Sequence, residues 1–307
     1  MKKLNSMSED HFLKIFFTCF SLSFIVASAF MPDVGDMSNG LLRIMNSPTK
    51  AATNFFSIGG YAATFLNMGL VGLICTALYC VPGRQANNAA TLVTLLTVGF
   101  GSWGIHILNM WPTMLGVVLH CIVRKEKLGA HTNSMLFTTG LAPFMSELMV
   151  RYPNPEVVGF TPAGLLAALV VGLFAGFFLP AGLDNSPKIH KGFALYSAAL
   201  PVGMTAFLLY AILYKAPGVA VPGAVSELHV ADPVIVNGFC LILFSSLILV
   251  SILMGTTWRD YWRLLTDPEQ IVNFSAAYGN GPMLMNVGAF GLYILFYYNI
   301  IGAEFNG

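Results

Sequence analysis

His106 and Asn109 stand three residues apart in GFGSWGIHILNMWP (99–112), an imidazole and an amide in an otherwise apolar run. That pair could bind a solute or carry a proton. Its plainer role is to satisfy backbone at a helix break. Glu147 is the lone carboxylate of AHTNSMLFTTGLAPFMSELMVRYP (130–153). Intramembrane carboxylates are costly and point to function; the plainer reading is an interfacial glutamate beside Arg151. His131, Asn133, Thr138 and Thr139 add donors and acceptors, whose ordinary use is to bond helix ends. Asn67 and Asn286 open NMGLVG (67–72) and NVGAFG (286–291), a spacing that serves close helix packing as readily as solute contact. His106, Asn109, His131, Thr138, Thr139, Glu147, Asn67 and Asn286 are therefore the candidate binding residues. HExxH, GxSxG and Walker patterns are absent from the sequence and no GxGxxG stands before a helix, so neither a catalytic set, a metal site nor a cofactor is assigned.

The elements that position these groups follow from composition. Of 307 residues, 56% are hydrophobic and 9% charged, against about 25% charged in soluble domains, and the mean hydropathy is +0.72. A chain this apolar has the lipid bilayer as its solvent. The net charge of +1 gives no field for nucleic acid. The five cysteines form no CxxC pair and read as small hydrophobes. The fold class is an all-α polytopic bundle, with spans over 12–31, 58–81, 162–180, 193–214, 233–254 and 283–301. The apolar stretch 91–123 is too long for one span and is broken by Gly99, Gly101, Gly104 and Pro112. Residues 130–153 read as a re-entrant hairpin with its tip near 140–143, 215–232 as a Pro/Gly-rich loop, and WRDYWRLL (258–265) as an interfacial helix.

The two Asn/Gly motifs belong to a longer match. RIMNSP (43–48) parallels RLLTDP (263–268), and Asn54-Phe55 parallels Asn273-Phe274. Gly60, Tyr79, Gly83 and Asn87 then match Gly279, Tyr298, Gly302 and Asn306, giving twelve identities over 45 aligned positions with one gap. An apolar span precedes each copy, so the first span reads as retained rather than as a cleaved signal. The match implies a tandem repeat of about 220 residues: a first transmembrane repeat over 10–229 and the start of a second over 230–307, expected to be truncated.

GFGSWGIHILNMWPTMLGV (99–117), TTGLAPFMSEL (138–148) and HKGFALYSAALPVG (190–203) resemble signatures of a bacterial membrane-protein family, domain of unknown function 1576. The resemblance implies a multi-pass protein of the bacterial cytoplasmic membrane and supplies no substrate or site residues.

If 91–105 and 106–123 both cross, the first repeat has six spans and the repeats are parallel. Nine Lys/Arg then lie with the N-terminus and six opposite, which fits the positive-inside rule. If 91–105 is re-entrant, the repeats are inverted and the split is eight to seven. The charge count favours the parallel arrangement. Duplication, broken helices and a polar hairpin point to a transporter or channel for a small solute or ion. The alternative is an intramembrane enzyme using His106, His131 and Glu147, with or without a metal. Homo-oligomerisation is left open.

Overall fold

A computed structural model describes residues 7–48, 53–154, 159–190, 198–215, 232–268 and 273–303. Lys2, Lys3, Lys50, Lys191 and Asn306, used in the charge and repeat counts, lie outside these residues, as does most of the 215–232 loop. The described chain is all α, and five of its helices are long and apolar enough to cross a bilayer: Glu9–Ser28, Tyr61–Cys80, Pro162–Ser186, Pro233–Leu253 and Asn280–Ile301. The protein is a multi-pass membrane protein. Its apolar runs become helices because lipid offers the backbone no hydrogen-bond partners, and the helix satisfies them internally.

Helix α1 (Glu9–Ser28) is followed by two short helices, α2 (Met37–Met45) and α3 (Phe55–Gly59), and by α4 (Tyr61–Cys80). Helices α1 and α4 pack along their length. Helix α5 (Asn88–Phe100) leads through a helix-free turn region into α6 (Trp111–Arg124), so the break expected within 91–123 is present. At 13 and 14 residues, each of these helices is about 20 Å long. Next come α7 (Thr132–Thr138), α8 (Ala142–Arg151), α9 (Pro162–His190) and α10 (Ala199–Tyr214). The last elements are α11 (Pro233–Leu253), the short α12 (Trp258–Leu265) and α13 (Phe274–Tyr278), and α14 (Asn280–Ile301).

Hydrogen bonds define the two ends of the bundle. At the Glu9 end, Asp10 accepts from the Ala86 amide (2.7 Å), Tyr79 donates to Asn133 (2.6 Å), and Asn273 and Asn280 donate to Glu9 (3.0 Å) and the Met7 carbonyl (3.1 Å). At the Ser28 end, Asp33 accepts from the Ala62 amide (3.0 Å), the Phe55 amide donates to the Ser102 carbonyl (2.9 Å), and the Asp232 amide donates to the Tyr61 hydroxyl. Helix α11 therefore starts where α1 stops and runs antiparallel to it. Helix α14 likewise runs against α4.

This corrects the expected parallel arrangement, and the cause lies in residues 132–151. No hairpin tip forms at 140–143. Thr138, Thr139, Leu141 and Ala142 all keep right-handed helical backbone, and α7 and α8 are joined by the 3-10 turn Thr139–Leu141. The segment bends without reversing. It carries the chain from Asn133 at the Glu9 end to Arg151 at the other end, which adds one traverse and makes the number odd.

The pairs α1/α4 and α11/α14 share their local design. Asn54 caps α3 and Asn273 caps α13, each accepting a backbone amide with its side chain. Gly60 (φ 85°) and Gly279 (φ 87°) then redirect the chain into the long helix, a backbone region reserved for glycine. Gly69 lies on α1 so closely that a Cβ would come 2.8 Å from the Ser21 carbonyl; at Gly288 a Cβ would come 2.8 Å from the Phe244 carbonyl of α11. These glycines let two helix backbones touch.

Candidate functional site

Residues 101–110 leave helical geometry: the amides of 101–105 fold back onto carbonyls of the last turn of α5, while the carbonyls of Gly101, Gly104 and Ile105 take side-chain donors. Side chains from three elements take over. Asn67 of α4, fully buried, donates to the carbonyls of Gly101 (2.7 Å) and Ile105 (2.8 Å). Asn109 accepts the His106 amide (2.9 Å) and donates to the Gly104 carbonyl (2.9 Å) and the Ser146 hydroxyl of α8 (2.8 Å). The His106 ring completes the knot, with Nε2 2.9 Å from Ser146 Oγ and Nδ1 3.2 Å from the Leu108 amide that donates to it. Because Nδ1 accepts, the neutral ring carries its proton on Nε2 and donates to Ser146. A second proton would set Nδ1–H against the Leu108 N–H. His106, Asn109 and Ser146 are all fully buried, so the knot holds only while His106 is neutral.

The segments 99–112 and 131–147 do meet, though not through all the residues singled out in the sequence. The hydroxyls of Thr138 and Thr139 turn back onto the Met135 (2.7 Å) and Leu136 (2.6 Å) carbonyls of their own helix. Glu147 is buried and faces Arg151, with Oε1 3.7 Å from Nη1. His131 donates to Glu126 (2.6 Å) near the helix-end turn after α6. His106, His131 and Glu147 thus have three separate sets of partners. Ser146 was missed in the sequence. The available signal was Pro143 and Ser146 at helical spacing on one face; Pro143 lies against Gly104, and Ser146 reaches the knot.

Asn286 sits elsewhere. It lines an apolar cavity of about 650 Å³ between α1, α4 and α5 on one side and α11 and α14 on the other. Phe65, Leu95, Phe239, Phe244 and Phe290 form much of its wall. Asn286 is half-buried, and no hydrogen bond is seen for it among the described residues.

A third polar cluster lies at the Glu9 end, where Gly129 packs on the Gly83 carbonyl. His120 of α6 and His131 flank Glu126, whose carboxyl the His131 hydrogen bond holds below the usual glutamate range. His120 and Glu126 were not among the residues picked from the sequence.

No curated protein and no solved structure matches this chain. A family model described as a protein of unknown function matches residues 34–215, a stretch that holds the α3–α4 turn, the buried knot and the polar cluster at the Glu9 end. The chain belongs to the domain of unknown function 1576 family.

Proposed function

We propose that this protein moves a small solute or ion across the bilayer, with the 101–110 break and the facing stretch of α8 as the working element. One observation carries the reading: a ten-residue break in helical backbone, with His106 and Asn109 fully buried inside it, is held by exchangeable side-chain bonds from α4 and α8. A purely structural bundle gains nothing from such a break, whereas transporters use discontinuous helices to present backbone groups to a substrate. Opening the Ser146 contacts exposes the Asn109 amide and the Gly104 carbonyl together, a donor and an acceptor for one small polar solute. Glu147, next to Ser146, supplies a negative charge for a coupling cation or proton.

Two further features support the reading. The pairs α1/α4 and α11/α14 are read as an inverted repeat, the first unit over 10–229 and the second beginning at 230, because they share caps, φ-positive glycines and glycine contacts while running in opposite directions. Inverted repeats are a common plan for alternating access. The basic residues also divide unevenly. Lys14, Arg84, Arg124, Lys125, Lys127, Lys188, Arg259 and Arg263 lie towards the Glu9 end, against Arg43, Arg151 and Lys215 at the other. By the positive-inside rule the Glu9 end is then read as cytoplasmic, in keeping with the proposed location in a bacterial cytoplasmic membrane.

The test is flux into proteoliposomes, screened electrically with cationic, anionic and neutral small solutes. Wild type shows protein-dependent flux for at least one class, and Glu147→Gln abolishes the coupled flux or its pH dependence while the protein remains monodisperse. Normal transport by Glu147→Gln places the coupling site elsewhere. Absence of flux across all classes removes the transport reading.

A further inference from the structure

The cluster at the Glu9 end has the composition and convergence of a metal site. His120 Nε2 lies 3.7 Å and His131 Nε2 2.6 Å from the same oxygen of Glu126, Oε2. One ligand atom from each of the three residues can be chosen so that all lie within 4.8 Å of one another. The other carboxylate oxygen, Oε1, faces Arg124 at 3.6 Å, which leaves Oε2 to the imidazoles.

The decisive feature is the far side of the His120 ring. Its Nδ1 lies 2.7 Å from the Phe177 carbonyl of α9, and a carbonyl accepts only. Nδ1 must therefore carry a proton, and in the neutral imidazole Nε2 presents a lone pair. That lone pair meets a carboxylate oxygen, so two acceptors face each other in a side chain that is 10% exposed. The arrangement asks for a cation between them. Metal-bound histidines are typically held in this way, the second nitrogen bonded to a backbone carbonyl that fixes tautomer and ring orientation.

We propose that His120, Glu126 and His131 bind a divalent transition-metal ion of the zinc type. With the His131 ring shifting its proton from Nε2 to Nδ1 as the ion replaces the hydrogen bond to Glu126, two imidazole nitrogens and one carboxylate oxygen suit Zn²⁺, whereas Mg²⁺ and Ca²⁺ require mostly oxygen ligands. Three protein ligands leave a fourth tetrahedral position for water. The ion ties the C-terminal end of α6 to the turn that precedes α7 and, through Phe177, to α9. It thereby fastens, at their outer ends, segments that lead into both faces of the buried knot. The proposal does not depend on the transport reading.

The test uses the full chain in nanodiscs, stripped with chelator and titrated with zinc chloride. Wild type binds one Zn²⁺ saturably, and its melting temperature rises on addition of the ion. Co²⁺ at the same site gives the visible absorption of a tetrahedral nitrogen–oxygen set. Glu126→Gln and His131→Ala each weaken binding by at least about tenfold and lose the thermal shift, while His11→Ala, an exposed histidine of α1, binds as wild type does. Glu126→Gln alters an exposed carboxylate and keeps its shape, so its folding is readily verified by circular dichroism. The proposal is overturned if wild type shows no saturable Zn²⁺ binding, which leaves the cation between His120 and Glu126 as a proton. It is equally overturned if Glu126→Gln and His131→Ala bind with unchanged affinity.

Discussion

The helix pairs α1/α4 and α11/α14 make the same turn on the same kind of glycine and close on the same kind of contact, yet they sit in different surroundings. In the first pair, α5 lies along α4 and the Asn67 amide is spent on two carbonyls of the break. In the second, the corresponding amide of Asn286 borders an apolar cavity. The difference teaches that the Asn/Gly motif encodes two separable things. The glycines set the distance between two helices wherever they occur. The asparagine acquires a structural duty only where broken backbone lies within its reach.

That separation can be broken experimentally, and the largest effect belongs to the asparagines. Asn67→Leu leaves two buried carbonyls without donors, at about 1–3 kcal/mol each, and should strongly lower the thermal midpoint. Asn286→Leu should change it little or raise it, because it removes a polar group from an apolar wall. Equal losses at both positions, measured by scanning fluorimetry in one detergent, would show that Asn286 has a partner as demanding as that of Asn67.

Next come the glycine turns. Gly60→Ala and Gly279→Ala both force a side chain into a glycine-only backbone region, at about 1–3 kcal/mol each. At Gly60 the new methyl also meets the Asp33 carboxylate that caps the start of α4, so the loss there should exceed the backbone strain alone. An unchanged thermal midpoint for Gly279→Ala would contradict the shared design.

The smallest effect is at α12, which carries a capping box that its counterpart α2 lacks. Thr257 and Asp260 bond reciprocally across the first turn of α12, and Thr257→Ala should cost about 1 kcal/mol. The hydrogen bond from the Thr257 hydroxyl, first among the causes, holds the Asp260 carboxyl below its ordinary value of 3.8. Its folded value lies below its unfolded one, so the contribution is complete above pH 3.8 and disappears as pH falls through the lowered folded value. Emission from the exposed Trp258 and Trp262 in nanodiscs should report this as a transition on that acidic side. A transition on the alkaline side would contradict the assignment.

Five of the six expected spans were legible because twenty apolar residues in a row have one stable form in lipid; of the sixth, 193–214, residues 193–197 lie outside the described residues and the rest forms the 16-residue α10. The break was legible because Gly99, Gly101, Gly104 and Pro112 fall inside such a run. The parity of the fold was not. Gly140-Leu141-Ala142-Pro143 reads as punctuation, but Pro143 falls in the first turn of α8, where a missing backbone N–H costs nothing, so the helix restarts at once. The pairing of His120 with Glu126 and His131 was illegible for another reason. These residues straddle a helix end closed by left-handed Lys125, and neither helical nor strand spacing applies across it. The role of His106 depended on Ser146, forty residues away, which periodicity on a single helix cannot supply.

The sealing of residues 101–110 also imposes an order on biogenesis. Asn67 precedes the break in the chain and can satisfy Gly101 and Ile105 as soon as they emerge. His106 and Asn109 must wait for Ser146. Through that interval α5 and α6, each shorter than the hydrocarbon layer, have an unfinished polar junction between them. The nascent chain must therefore hold this hairpin beside the insertion machinery, or in the wet interface, until α8 arrives. A ribosome-arrested chain ending before Ser146 should keep α5–α6 accessible to aqueous labelling, and one extended past Arg151 should not.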